Sequence, residues 1–349
     1  MRIALDAMGT DRGPEEMVAG AVQAVTESAL DVVLFGDKNI LAPLVNSRPE
    51  AERGRLQIVH TTEVVGMAES PIDAIRRKRD SSIVVAFESL KSGEVDAVVS
   101  AGNSGATMAA AVRSLGRLPG ISRPGIASVF PTLKKPVVMM DVGANVDCRP
   151  RHLFQFGVMA AAFSEVILDI ERPRVGVLSI GEEQGKGNSL VKKTDDLFRR
   201  SSLNYIGNTE GGEIFRGDVD VIVCDGFVGN VCLKISEGLA EALTGLLRME
   251  INKSPMARIG YLLARGAFAG FKKRIDYAEY GGAPLLGLRG TGVVCHGRSN
   301  AKAIKNALLE AGSLVRNKVN DKIMERLDLD AMVLADEVDG AEKTTVGAA

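Results

Sequence analysis

Neither an excess of one charge nor a long apolar run occurs in this 349-residue chain. Its 43 Lys and Arg side chains face 44 Asp and Glu, a formal net charge of -1, whereas nucleic-acid binding usually requires a basic excess on one face. We therefore expect no nucleic-acid partner. No apolar stretch approaches the roughly 20 residues that cross a bilayer, and the first residues lack the apolar core of a signal peptide. These absences predict a cytoplasmic protein.

Paired cysteines are also missing. The four cysteines, Cys148, Cys224, Cys232 and Cys295, show no Cys-x-x-Cys spacing. This pattern indicates neither a disulfide framework nor a zinc site, so we expect reduced thiols and no bound metal. Internal repeats and low-complexity segments are absent as well, and 46% apolar residues suffice for a full globular core.

What the chain does contain is an alternation of short Val- and Ile-rich runs with longer segments of helical composition. This order predicts an α/β fold: a doubly wound, mostly parallel sheet with helices on both faces. The predicted strands are 2–5, 32–35, 57–60, 97–100, 126–129, 136–141, 174–179, 203–206, 219–224 and 292–295. The predicted helices are 14–27, 71–78, 82–91, 106–115, 153–168, 190–199, 230–250 and 300–318.

No linker divides the chain, so we expect one α/β catalytic domain over residues 1–328, although this length also permits two lobes. Residues 329–349 lose periodicity and gain small and charged residues, which predicts a flexible C-terminal tail.

Residues 254–277 interrupt the strand and helix alternation with a mixture of apolar and basic side chains. Its three glycines predict a short or broken helix. Anionic lipid, an acidic protein partner and a subunit interface are each compatible with this composition. The side chains that we assign to such a contact are Arg258, Leu262, Arg265, Phe268, Phe271, Lys272 and Lys273.

Five predicted strands end in turns built from Gly and Asn, at 100–105, 141–145, 181–188, 225–230 and 296–300. In an α/β sheet such turns lie at the carboxyl ends of strands, and N–H groups at helix N-termini favour anions. The turns therefore predict a phosphate site. The binding candidates in them are Gly102, Asn103, Ser104, Gly105, Asp141, Asn145, Asp147, Asn188, Asp225, His296, Ser299 and Asn300.

Lys186 lies between two glycines in an otherwise acidic turn. Its ammonium is suited to neutralising phosphate or a developing oxyanion, although a solvated loop lysine is the alternative. Asn230 opens a predicted helix, where it could cap the helix or donate to an oxyanion. We assign catalytic roles to these two residues.

The turn at 141–150 contains two acids and an amide, which could bind a metal or orient substrate-holding groups, but it supplies too few ligands to predict a metal. Arg149 could instead pair with either acid and lock the loop. His296 could carry a proton or make a fixed hydrogen bond.

Seven segments together resemble the PlsX family, the phosphate acyltransferases of bacterial phospholipid synthesis. They are 6–9, 100–105, 141–150, 181–188, 224–230, 280–287 and 296–306. The resemblance implies an isocitrate and isopropylmalate dehydrogenase-like fold related to phosphotransacetylases. It also implies a homodimer in peripheral contact with the membrane.

The reaction implied by the resemblance moves a fatty acyl group from acyl carrier protein to inorganic phosphate, giving acyl phosphate for phospholipid synthesis. Bound phosphate would attack the thioester directly, without a covalent acyl-enzyme and without a cofactor. The alternatives are a coenzyme A-dependent phosphotransacetylase, an NAD-dependent decarboxylating dehydrogenase and a non-catalytic membrane scaffold. No Gly-x-Gly-x-x-Gly turn followed by a ribose-binding acid supports the dehydrogenase.

Overall fold

The computed structural model describes residues 1–49, 54–275 and 281–333. Eleven strands form one sheet in the order β3-β2-β1-β4-β11-β10-β5-β6-β9-β7-β8. Their bounds are β1 Arg2–Asp6, β2 Asp31–Gly36, β3 Leu56–His60, β4 Ala97–Ser100, β5 Gly125–Phe130, β6 Val137–Met140, β7 Arg174–Ser179, β8 Asn204–Glu210, β9 Val221–Val223, β10 Ala283–Leu286 and β11 Thr291–Val294.

Two parallel groups of strands make up this sheet. β3, β2, β1, β4 and β11 are parallel to one another, as are β6, β9, β7 and β8. β10 and β5 join the groups through antiparallel pairings, so the two groups run in opposite directions. The predicted mostly parallel sheet is confirmed. All ten predicted strands are present, whereas β10 was missed because it follows Gly281 and Gly282 and contains Pro284.

Helices cover the sheet, and each begins where the chain leaves a strand or a turn. Their bounds are α1 Pro14–Glu27, α2 Lys38–Asn46, α3 Pro71–Arg77, α4 Ser82–Lys91, α5 Ser104–Leu115, α6 Pro150–Ile167, α7 Ser189–Arg199, α8 Gly226–Lys253, α9 Pro255–Leu263, α10 Arg265–Ile275, α11 Ala301–Arg316 and α12 Val319–Leu329. α2, which contains Pro43, and the polar α12 were not predicted.

Two apolar cores, one on each face of the sheet, hold these layers together. Residues of α1, α6, α7, α11 and α12 pack on one face, and residues of α3, α4 and α5 on the other. β1 shows why both are needed, because Ile3 and Leu5 belong to the first core whereas Ala4 belongs to the second. The prediction of helices on both faces is confirmed.

α8, α9 and α10 leave this arrangement. α8 has 28 residues, about 42 Å of helix at 1.5 Å per residue, and its buried residues are Gly226 and Gly229 near its start. The predicted break in residues 254–277 is confirmed, because α9 ends at Leu263 and α10 begins at Arg265. Residues 276–277 and the side chain of Lys272 lie outside the described part of the chain.

Residues 334–349 of the predicted tail also lie outside the described part. Before them, the buried Asp330 accepts hydrogen bonds from the backbone N–H and hydroxyl of Ser202. Within residues 1–49, 54–275 and 281–333, no helix is both long and apolar enough to span a bilayer.

Candidate active site

A buried polar network joins the ends of β1 and β4. The Asp6 carboxylate accepts hydrogen bonds from the hydroxyls of Ser82, at 2.6 Å, and Ser100, at 2.8 Å. Gly102 lies so close to Gly9 that a Cβ added to Gly9 would be 3.3 Å from the Gly102 Cα. These contacts fix the turn that leads into α5.

Asn103 is the N-cap of α5, and both atoms of its side-chain amide already have partners. Its Oδ1 accepts a hydrogen bond from the Ala106 N–H at 3.0 Å, and its Nδ2 donates to the carbonyls of Met67 and Glu69 at 3.0 and 3.1 Å. The side chain therefore holds the 66–69 loop against α5. The N–H groups of Ser104 and Gly105, in the first turn of α5, have no intrahelical acceptor.

The turn after β6 is organised around the fully buried carboxylate of Asp141. Oδ1 accepts from the N–H groups of Ile126 and Ala144, and Oδ2 from the backbone and side-chain amides of Asn145 at 2.7 and 2.9 Å. Burial raises the pKa of Asp141, and these hydrogen bonds oppose that rise. Because all four donors belong to the protein, the carboxylate shapes its own turn. Asp147, further along, is exposed.

α8 begins against this turn. Asp225 is its N-cap and accepts from the Val228 N–H at 2.9 Å, so the prediction that the helix opens at Asn230 is wrong by one turn. The Gly226 N–H donates to the Asn145 carbonyl at 2.7 Å, and Gly229 lies directly against the Asp141 carbonyl. Asn230 follows on the exposed side of α8, next to Gly143.

The turn after β11 lies beside the β1 turn, because the Thr10 hydroxyl donates to the Gly297 carbonyl at 2.9 Å. His296 Nδ1 accepts from the Arg298 N–H at 3.1 Å. Partial burial and the charge of Lys234 on α8 lower the pKa of His296. The lowered pKa favours the neutral imidazole, whose proton then lies on Nε2 because Nδ1 accepts the Arg298 hydrogen bond. Because Lys234 of α8 acts on His296 and Gly226 of α8 bonds to Asn145, α8 lies near both the β11 turn and the Asp141 turn.

Ser299 and Asn300 complete the β11 turn. Ser299 is buried, and its N–H donates to the His296 carbonyl at 2.9 Å. Asn300 Oδ1 caps α11 through the Ala303 N–H at 3.0 Å. Asn300 therefore has the same local role as Asn103.

Lys186 is exposed on the turn after β7, and its N–H donates to the Glu183 carbonyl at 3.1 Å. Asn188 Oδ1 caps α7 through the Val191 N–H. β9 lies between β6 and β7, so the Lys186 turn is at the same sheet edge as Asp141, roughly 10 Å away at the usual strand spacing. Among the described residues, the Lys186 ammonium has no ion-pair partner.

A cavity of about 860 Å³ opens between α3 and α5 and contacts both halves of the sheet. Ser104 and Gly105 line it from the β4 side, and Gly143 and Ala144 from the β6 side. Lys186, Asn230 and His296 do not line this cavity. Its remaining lining residues are Ser70, Pro71, Ile72, Ile75, Arg76, Arg79, Met108, Ala109, Val112, Arg113 and Ile126.

Sequence reasoning missed the three arginines of this cavity. A signal was available, since Ile72, Ile75, Arg76 and Arg79 recur at intervals of three and four residues, as on one face of a helix. Only the contact between α3 and α5 shows that this face borders a cavity.

Comparison with known proteins identifies the family. A family model described as fatty acid synthesis protein matches residues 1–322. A phosphate acyltransferase from Syntrophotalea carbinolica is 54% identical over 336 residues, 96% of this chain and 96% of that protein. The chain belongs to the PlsX family of phosphate acyltransferases. Another family member, the phosphate acyltransferase from Geobacter sulfurreducens, is 49% identical over 347 residues, 99% of this chain and 100% of that protein.

Solved structures support the fold expected for this family. A phosphotransacetylase from Streptococcus pyogenes aligns with a TM-score of 0.62 at 18% identity, covering 90% of this chain and 94% of that chain. A putative 4-hydroxythreonine-4-phosphate dehydrogenase from Salmonella typhimurium aligns with a TM-score of 0.52 at 14% identity, covering 90% and 99%. The predicted dehydrogenase-like fold, shared with phosphotransacetylases, is confirmed.

Proposed function

We propose that this protein transfers a fatty acyl group from an acyl carrier protein thioester to inorganic phosphate, releasing acyl phosphate for phospholipid synthesis. The observation that carries the proposal is the cavity that both the start of α5 and the Gly143–Ala144 turn line. Membership of the phosphate acyltransferase family supports the reaction type.

In the proposed reaction, phosphate binds near the Ser104 and Gly105 N–H groups, because a helix N-terminus favours an anion. A phosphate oxygen attacks the thioester carbonyl carbon and forms a tetrahedral oxyanion. We assign the stabilisation of that oxyanion to the Asn230 amide, which lies next to the cavity residue Gly143, and to the Lys186 ammonium, which acts from the turn after β7, outside the cavity lining. The C–S bond then breaks, leaving acyl phosphate and a thiolate that takes up a proton. Holding both reactants in one cavity supplies much of the rate.

The direct test incubates acyl carrier protein thioester with phosphate and traps acyl phosphate with hydroxylamine. Lys186→Ala should lower kcat by about a hundredfold if its charge acts only on the oxyanion. Lys192→Ala, an exposed lysine on α7, is the matched control and should behave as the wild type. Unchanged turnover in Lys186→Ala would remove Lys186 from the mechanism.

Parallel reactions separate the alternatives. The phosphotransacetylase fold favours a coenzyme A thioester as the second candidate donor, so kcat/KM is compared for the two donors. An assay of NAD reduction tests the dehydrogenase alternative. Absence of product with every donor would favour a non-catalytic scaffold. A higher kcat/KM with the coenzyme A thioester would overturn the carrier-protein assignment.

We also propose a homodimer formed through α8. An apolar stripe runs along its exposed face and comprises Val231, Ile235, Leu239, Leu243 and Leu246. Spacings of three and four residues are those of a helix that packs against another element. Leu239→Lys should convert the dimer to a monomer in sedimentation analysis. A wild-type protein that sediments as a monomer would contradict this proposal.

For α9 and α10 we propose peripheral contact with anionic lipid. Met256 and Leu263 are 76% and 83% exposed, next to basic residues that include Arg258 and Arg265. Phe268 is half-buried against Tyr261, with ring centroids 4.8 Å apart, so replacing it would disturb that pair. Met256→Ser/Leu263→Ser should reduce sedimentation with anionic vesicles while leaving acyl transfer unchanged. Undiminished vesicle binding would contradict the assignment.

A further inference from the structure

The cavity between α3 and α5 has chemically different ends. Pro71 contacts the region of Gly105, while the Arg113 guanidinium donates to the Ile75 carbonyl at 2.7 Å. The two helices therefore run side by side in the same direction. From Gly105 to Arg113 the cavity follows α5 for eight residues, about 12 Å at 1.5 Å per residue.

One end presents the backbone N–H groups at the start of α5, beside Ser104 and Gly105, which is the end that the proposed reaction uses. The middle is apolar. It is lined by Ile72, Ile75, Met108, Ala109, Val112 and Ile126.

The far end carries the arginine rim, which we define as Arg76, Arg79 and Arg113. Arg76 and Arg79 are exposed, and no carboxylate or carbonyl among the described residues pairs with either guanidinium. Arg113 makes one hydrogen bond and retains further N–H donors. Guanidinium groups that line one cavity without a paired carboxylate favour a phosphate or phosphodiester, which they bind by paired hydrogen bonds.

We propose that the arginine rim binds the phosphodiester of the 4′-phosphopantetheine arm that carries the acyl group, with the arm lying along the apolar middle and its thioester at the α5 N-terminus. A fatty acyl chain alone would match the apolar walls but would leave three cations without an anion. The arm instead has an anion at one end and the reacting carbonyl at the other. Its source as acyl carrier protein rests on the proposed function, whereas its recognition by the rim does not.

Calorimetry tests the recognition without relying on turnover. The probes are 4′-phosphopantetheine and pantetheine, which differ by the phosphate. Wild-type protein should bind the phosphorylated probe about tenfold more tightly, the factor expected for a charge-assisted contact in a solvent-accessible site. Arg76→Gln/Arg79→Gln should abolish this preference. The control Arg77→Gln alters an exposed arginine of α3 that does not line the cavity, and should retain it.

Equal binding of both probes by the wild type, or a preference that survives in Arg76→Gln/Arg79→Gln, would overturn the proposal. Kinetics adds a second readout. In the double variant, KM for the acyl carrier protein thioester should rise about tenfold while KM for phosphate stays unchanged. A rise in KM for phosphate would instead assign the rim to inorganic phosphate and refute the inference.

Two further results identify the source of the arm. A coenzyme A thioester carries the same arm, so an increase in KM confined to that donor would place coenzyme A in the cavity and refute the carrier-protein source. Should the wild type form no acyl phosphate from either donor, the proposed function would fail. The calorimetric preference would still decide whether the rim recognises the arm.

Discussion

Gly229 is the position where one methyl group should damage the candidate site most. A Cβ added there would lie 1.9 Å from the Asp141 carbonyl oxygen and 2.9 Å from the Cys224 Sγ. Ordinary contact begins at about 3.4 Å, so α8 and the Asp141 turn must separate by about 1.5 Å. The atom in the way is backbone and cannot rotate aside. Gly229→Ala should therefore cost about 1–3 kcal/mol of unfolding free energy, the range for overpacked cores.

The same displacement should also impair the reaction, because it moves Asn230 away from Gly143. A misplacement of about 1 Å at a reacting group can cost roughly a hundredfold in rate. The measurements are urea denaturation and hydroxylamine-trapped acyl phosphate. Gly245→Ala is the matched control on α8, since a Cβ there meets nothing within 4 Å, and it should stabilise the helix by about 1 kcal/mol. Wild-type stability and turnover in Gly229→Ala would refute this reasoning.

Three other predictions concern the pKa of His296, the pKa of Asp141 and the hydrogen bonds to Asp6. Lys234→Met removes a positive charge that lowers the pKa of His296, so NMR titration of the imidazole should give a higher pKa in the variant. An unchanged or lower pKa would show that the two groups do not interact. Because burial raises the pKa of Asp141, its protonated form contributes stability at low pH that is lost as pH rises through the raised pKa. The stability advantage of wild type over Asp141→Asn should therefore be largest in acid, and an advantage that grows with pH in urea denaturation would contradict this. Ser82→Ala leaves the buried Asp6 carboxylate without one of its two hydroxyl donors and should lower the free energy of unfolding by about 1–3 kcal/mol. The control Ser104→Ala alters an exposed serine and should lower it by less than about 0.5 kcal/mol. Equal losses in urea denaturation would be inconsistent with the hydrogen-bond network around Asp6.

Hydrophobic periodicity and the residues of the turns predicted much of the fold. β1, β4 and β7 are apolar runs that end in Gly or Asn turns, and Pro14 and Pro71 stand at the first helical positions as expected. Sequence alone did not reveal that the strand groups run in opposite directions. That reversal depends on β10, whose Pro284 and flanking glycines obscure the strand pattern, and on its antiparallel pairing with β5.

The local sequence predicted the positions of the polar turns, but it did not predict which residues their side chains contact. Ser82 illustrates this, because the sequence predicts only that a helix begins there, whereas the Ser82 hydroxyl donates a hydrogen bond to the Asp6 carboxylate, 76 residues away. No pattern within α4 specifies that contact. Arg76 and Arg79 likewise become informative only when α5 packs beside α3 and encloses a cavity.

The Asn residues of these turns show which groups remain free to meet an anion. Asn103, Asn188 and Asn300 each use Oδ1 to cap a helix, and Asn145 donates its amide to Asp141 and Pro124. The Oδ1 of a capping Asn is committed to the helix N–H, and in Asn103 the Nδ2 is committed as well, to the carbonyls of Met67 and Glu69. Each cap thus fixes a first turn whose other N–H groups have no intrahelical acceptor. The side chains that looked like ligand donors in the sequence therefore position the backbone of α5, and the proposed phosphate contact moves from Asn103 to the N–H groups of Ser104 and Gly105.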